Sequence, residues 1–115
     1  MDPRFTIKKN SDFRRMYSKA KSSVNPYMVV YSRKNRTGTS RAGFTVSTKL
    51  GHAVVRNRIK RRLREIYRLN LPKLKSGQDV LIVARSRCVD ADYRKMEEAF
   101  LQACRDSHLL MEEET

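Results

Sequence analysis

The chain has 115 residues, enough for one modest hydrophobic core and not for two. Lys and Arg number 26 against 12 Asp and Glu, a net charge of +14 that points to a polyanionic partner. No stretch approaches the ~20 apolar residues of a membrane span, and the first ten residues lack a signal peptide's apolar run, which predicts a cytoplasmic chain.

A first helix is expected after Asn10 and Ser11, either of which can cap it by accepting a backbone N–H bond. Phe13, Met16, Tyr17 and Ala20 then recur at the spacing of one helical face. Pro26 stops any continuation and leads into YMVVYSR at 27–33, rich in β-branched and aromatic residues. NRTGTS at 35–40 has turn chemistry, and RAGFTVSTK follows, so 27–49 is expected to form a β-hairpin or meander. An extended segment at 3–8 is a further candidate strand.

The second helix is expected from Ala53 to about Asn70, before Pro72. SGQD at 76–79 is a turn, and DVLIVAR is a short continuous apolar run, the mark of a central strand. Asp90 or Asp92 opens a last helix that turns Tyr93, Met96, Phe100 and Ala103 or Cys104 inward. The fold class is therefore α+β: a two-layer sandwich of one sheet with helices packed on it, in the order α-β-β-β-α-β-α or close to it. Residues 1–115 form one domain, with an acidic tail from about 106.

Charge is unevenly placed along this order. Residues 1–89 hold 23 bases and 4 acids (+19), and residues 90–115 hold 3 bases and 8 acids (−5). The densest part is the second helix. With Ile59 at 0° and 100° per residue, Val55, Ile59, Leu63 and Ile66 fall within about 40° of that origin, while Arg56, Lys60, Arg64, Asn57, Arg68 and Arg61 spread over about 60–200°. Arg58 and Arg62 lie on the opposite flank. A mixed-charge run is ordinarily a solvated face, but Glu65 is the only acid among eight bases between residues 49 and 68. Like charges four apart, as in Arg56–Lys60–Arg64–Arg68, repel by a few tenths of a kcal/mol per pair. Phosphate offsets this through charge-assisted bonds to arginine's planar fork. A DNA-reading helix would come with a preceding helix and short turn; strand, Gly-His, helix suits a folded RNA.

VSTKLGHAVVRNRIKRRLRE resembles the signature of the protein component of bacterial ribonuclease P. Leu50, Ala53, Arg56, Asn57, Arg58, Ile59, Lys60, Arg61, Leu63 and Arg64 meet that family's pattern position by position. A K-x-x-x-D-F segment with a second aromatic one turn on, a G-x-x-V-S strand and an apolar strand ending in Ala-Arg extend the match; residues 86–115 match only as a helix with a variable tail. The resemblance implies a left-handed β-α-β crossover, against the general right-handed rule. It also implies an auxiliary protein for a catalytic RNA that removes the 5′ leader from precursor tRNA, with Mg²⁺ held mainly by RNA subunit and substrate and none bound tightly by the protein. The partners it implies are the catalytic RNA subunit and precursor tRNA with its leader, with no membrane and no obligate protein partner. Lys49, Arg56, Asn57, Arg58, Lys60, Arg61, Arg64 and Arg68 are then the RNA-subunit contacts.

Period two in YMVVYSR puts Tyr27, Val29, Tyr31 and Arg33 on one face; in RAGFTVSTK it puts Ala42, Phe44 and Val46 on a core face and Arg41, Thr45, Ser47 and Lys49 on a polar one. Aromatics, hydroxyls and cations together suit single-stranded RNA, since any base can stack and any phosphate can be paired. Taken alone, Phe13 and Tyr17 are ordinary core residues. With the resemblance, Phe13, Tyr17, Tyr31, Arg33 and Ser47 become leader contacts, although position 17 is tyrosine where the family often has phenylalanine. No side chain is expected to be catalytic: His52 lacks a carboxylate partner, and Asp12, Asp90 and Asp92 are helix-start residues. Cys88 and Cys104 have no metal-ligand spacing and are expected to be idle thiols. The rival readings are a protein nuclease acting alone, which lacks clustered carboxylates or paired histidines, and a ribosomal or general RNA-binding protein.

Overall fold

Three helices and four short strands follow one another in the expected order. The structure, a computed structural model, describes Thr6, Ile7 and residues 10–111, the side chains of residues 10–12 excepted. Its elements are α1 (Asn10–Lys19), β1 (Lys21–Val24), β2 (Met28–Lys34), β3 (Arg41–Thr45), α2 (Ala53–Asn70), β4 (Gln78–Ala84) and α3 (Tyr93–Asp106). The expected capping by Asn10 or Ser11, the role of Asp12 and the end of the acidic tail lie outside the described residues.

The strands form one mixed sheet in the order β1-β2-β4-β3. β1 and β2 make the hairpin, antiparallel, with Asn25 at its turn: Oδ1 accepts from the Tyr27 and Met28 amides, and Nδ2 donates to the Ala99 carbonyl. The expected hairpin over 27–49 does not form. β4 lies between β2 and β3, antiparallel to the first and parallel to the second. The physical reason lies in β4 itself: Asp79 to Ile82 are buried without a break, and a strand covered on both faces takes a neighbour on each edge. β3, α2 and β4 thus form a β-α-β unit. Of the expected 3–8 segment, Thr6 bridges to Ala42 in parallel and the Ile7 amide donates to the Ala42 carbonyl at 2.9 Å, covering the β3 edge.

One face of the sheet carries Met28, Val30, Ala42, Val80, Ile82 and Ala84, all buried. Ile59, Leu63, Ile66 and Tyr67 of α2 and Met96, Phe100, Ala103 and Cys104 of α3 close over it. Each such aliphatic or aromatic side chain contributes about 1.5–3 kcal/mol by leaving water. The Asp92 side chain caps α3 by accepting from the Lys95 amide at 2.8 Å. Cys88 and Cys104 are free and buried, and burial pushes the Cys104 thiol up to about 12.

α1 lies on the opposite face, which refines the two-layer picture. A side chain at Gly43 would meet Leu81, Ile7 and Phe13 at 3.2–3.3 Å, so glycine there lets the N-terminal segment and α1 approach the strand closely. Ile7, Met16 and Leu81 are buried in this smaller cluster. Among the described residues no helix is long and apolar enough to cross a membrane.

Candidate nucleic-acid interface

α2 begins where the sheet ends. β3 stops at Thr45, and Thr48–Leu50 form a 3₁₀ turn in which Ser47 Oγ accepts from the Lys49 amide at 3.2 Å. Ser47 and Lys49 therefore sit exposed beyond the strand, not on its alternating face as expected. Gly51 then turns the chain with φ 146°, and a Cβ there would lie 3.1 Å from Val55 Cβ, so a side chain would be strained on both counts. His52 stands at the N-cap of α2, exposed and making no side-chain cap bond.

Along α2, Ile59, Leu63 and Ile66 are buried, as the stripe predicts, and Asn57, Arg58, Arg61, Arg64 and Arg68 are exposed. These exposed groups are not equivalent. Arg64 stands over the Phe44 ring with its guanidinium carbon 5.9 Å from the centroid. Arg68 is held bidentately by Glu65, at 2.7 and 3.2 Å, and that hydrogen bond draws the Glu65 carboxyl below its ordinary value. Arg62 donates to the Ala91 carbonyl at 3.3 Å, tying its flank of the helix to the segment before α3. Arg56 and Lys60 are half-buried, and Arg56 Nε is enclosed without a hydrogen-bond partner.

The α1 face of the sheet is ordered in rows by the strand register. Val29, Val83 and Thr45 share the first row, Tyr31, Leu81 and Gly43 the second, Arg33, Asp79 and Arg41 the third. Over the second row, Tyr17 meets Tyr31 edge to face with centroids 5.1 Å apart, and Phe13 packs against Gly43. Tyr17 is 49% exposed, so its ring is available to a further aromatic. At the third row a groove of about 470 Å³ opens between α1 and the loop 35–40, lined by Arg15, Lys19, Arg33, Lys34, Arg36 and Arg41, with Asp79 as its acid. Asp79 is clamped by Arg41 (2.9 and 2.7 Å) and by Asn35 Nδ2 at 2.9 Å. Burial pushes its carboxyl up, but the bonds from Arg41 and Asn35 and the charges of Arg41 and Arg33 outweigh this and hold it below its ordinary value.

The family model for ribonuclease P matches residues 1–107. The chain belongs to the ribonuclease P protein family. The ribonuclease P protein component of Alkaliphilus oremlandii is 45% identical over 104 residues, covering 90% of this chain and 91% of that protein. Among solved structures, the Staphylococcus aureus RNase P protein superposes with a TM-score of 0.85 at 32% identity, covering 93% of this chain and 98% of that one. A mutant of the S. aureus protein with defective mRNA degradation activity gives 0.84 at 32% identity over 93% and 91%. The Thermotoga maritima RNase P protein gives 0.77 at 33% identity over 84% and 92%. The role of a ribonuclease P protein is tRNA 5′ processing within an endoribonuclease that also contains RNA, and so this chain associates with that RNA and with precursor tRNA.

The structure brings the expected residues of this ribonuclease P protein together in two places. Asn57, Arg58, Arg61 and Arg64 share the outer surface of α2, while Phe13, Tyr17, Tyr31 and Arg33 share the α1 face of the sheet. Sequence reasoning placed Arg41 on the polar face of its strand but missed the groove cations Arg15, Lys19, Lys34 and Arg36. The available signal was the run from Arg33 to Arg41, which holds four bases and no acid.

Proposed function

We propose that the outer surface of α2 holds the catalytic RNA subunit and that the α1 face of the sheet holds the single-stranded 5′ leader of precursor tRNA, with no catalytic side chain on this chain. The observation that carries this reading is the exposed set Asn57, Arg58, Arg61 and Arg64 on a helix whose single acid, Glu65, is already engaged by Arg68. Such a surface has cations to spare for phosphate. Tyr17 and Tyr31 offer ring faces and edges beside Arg33, which suits unpaired bases on a charged backbone.

Mg²⁺ belongs, in this reading, to the RNA subunit and substrate, where it supplies charge to activate water and stabilise the leaving oxygen. The donors of the described residues do not fit it. Among the described residues no three His, Cys, Asp or Glu side chains come together as a metal site, and Asp79 is occupied by Arg41 and Asn35.

The deciding experiment compares protein alone, RNA subunit alone at low Mg²⁺, and the two combined, on precursor tRNA. Only the combination should cleave efficiently at the leader junction. Protein rigorously freed of RNA that cleaves by itself, and loses cleavage when a carboxylate is replaced, would overturn the assignment. The protein-alone arm should include an unstructured message, because the S. aureus mutant is described as defective in mRNA degradation. In the same assay Arg61→Ala and Arg64→Ala should weaken assembly with the RNA subunit, each lowering the log–log salt slope by roughly 0.7–0.9.

A further inference from the structure

The groove at the third row of the sheet lies beyond every aromatic residue of the leader face. We propose that it is a phosphate subsite for the 5′-distal part of the leader, reached after the strand has passed Tyr17 and Tyr31. This rests on the leader-binding reading and extends it from Arg33 to the cations of α1 and the loop 35–40, which that reading does not use.

Five features carry the proposal. The rows set an order along the face: Thr45 leads on to Ser47 and α2, Tyr31 and Gly43 follow, and Arg33 and Arg41 come last. With the RNA subunit on α2, the cleavage-proximal end of the leader enters from the Thr45 side and its distal end points at the groove. The step from Tyr31 to Arg33 is roughly 7 Å along the strand, on the scale of one nucleotide of an extended chain. Both oxygens of Asp79 are taken by Arg41, and among the described residues no other acid lines the groove with Arg15, Lys19 and Arg36.

The walls are also built rather than loose. Asn35 Oδ1 accepts from the Thr37 and Gly38 amides, its Nδ2 donates to the Thr39 carbonyl, and the Gly77 amide donates to Ser40 Oγ. This fixes the loop that carries Arg36 opposite α1. Finally, apart from the Arg41-bound Asp79, the lining holds cations and small polar groups but no ring. That chemistry binds backbone phosphate and is indifferent to base identity.

The test uses the assembled holoenzyme and precursor tRNAs whose leaders grow from a few nucleotides to about a dozen. Affinity should rise again once the leader outgrows the aromatic row. The double variant Lys19→Ala/Arg36→Ala should remove that second rise, about 3- to 10-fold, and lower the salt slope for long leaders by roughly 1.4, at about 0.7 per single-strand contact. For the shortest leaders it should match wild type, and Arg36→Lys should keep most of the gain. A wild-type affinity that stops rising at the aromatic row, or a variant defect equal for short and long leaders, overturns the proposal. Inorganic pyrophosphate separates a leader phosphate from a free anion: competition against long leaders alone supports the subsite. Pyrophosphate binding that Lys19→Ala/Arg36→Ala abolishes while leader length has no effect makes it a free-anion site and refutes the leader assignment. Tyr31→Ala distinguishes the levels, since loss of all leader dependence in that variant, with the groove variant silent, refutes only the extension. If Tyr31→Ala is silent, the parent reading fails.

Discussion

Glu65→Gln should make this protein bind its RNA subunit more tightly, an unusual outcome for a surface substitution. Glu65 holds Arg68 in a bidentate pair on an otherwise cationic helix, and both side chains are well exposed, at 45% and 60%. Replacing the carboxylate by the neutral amide frees the Arg68 guanidinium for phosphate and removes the one repelling charge on α2. If Arg68 gains a single phosphate contact, the log–log salt slope steepens by roughly 0.9, so the variant's advantage is about 3- to 4-fold greater at 50 mM than at 200 mM salt. Melting should hardly change, because an exposed pair of this spacing contributes little to stability. The assay is a salt titration of RNA-subunit binding at fixed Mg²⁺, for wild type, Glu65→Gln, Arg68→Ala and the double variant. Coupling is the decisive quantity. The gain should disappear when Arg68 is absent. An equal gain in both backgrounds would mean that Arg68 does not face the RNA and that Glu65 acts only through the general field.

Tyr31→Ala should lower holoenzyme affinity for precursor tRNA about 5- to 150-fold, the value of one stacked base at ~1–3 kcal/mol, while binding of mature tRNA stays unchanged; an unaltered precursor-to-mature ratio in a variant that melts normally would place the leader elsewhere. Asp79→Asn should flatten the acid limb of stability: the Asp79 carboxyl is held below its ordinary 3.8, so its contribution is present above that value and is lost as pH falls through the folded one. Acid unfolding followed by circular dichroism checks this, and identical limbs for the two proteins would show that the Arg41–Asp79 clamp does not stabilise the fold. Cys88 and Cys104 are buried and burial raises both thiols, so a thiol reagent should label neither until denaturant unfolds the chain; rapid labelling of the native protein would contradict the packing around α3.

α2, β4 and α3 were legible because each carries its own pattern: an apolar stripe at period 3.6, a continuous apolar run, and an aspartate three residues before a helical amide that needs an acceptor. Pairing was not legible. NRTGTS has the composition of a hairpin turn, yet Asn35 spends its side chain on Thr37, Gly38, Thr39 and Asp79, and β4 enters from beyond α2 to separate the two strands. β1, Lys21–Val24, has a single apolar residue and gave no alternation to read. The α2 surface could be found in sequence because its charges are consecutive. The groove was harder to find, since Arg15 and Lys19 lie apart in sequence from the run Arg33 to Arg41, and each cation looks by itself like an ordinary solvated one. Arg68 shows the converse, a residue that belongs to the right stripe and is nonetheless spoken for by Glu65.

The joint at Gly51 gives the molecule the character of a measuring device. At φ 146° and with Val55 3.1 Å from where a Cβ would stand, the turn strains any residue that carries a side chain. In the proposed reading, the helix that meets the RNA subunit and the sheet face that meets the leader are joined by this short link from Thr45 to Ala53. A protein with two independent grips would tolerate any distance between them. In the proposed reading this chain sets the distance, and the span between the catalytic RNA and the first gripped leader base becomes a property of the protein's backbone. Lengthening that joint would shift which leader nucleotide is felt, while leaving both gripping surfaces intact.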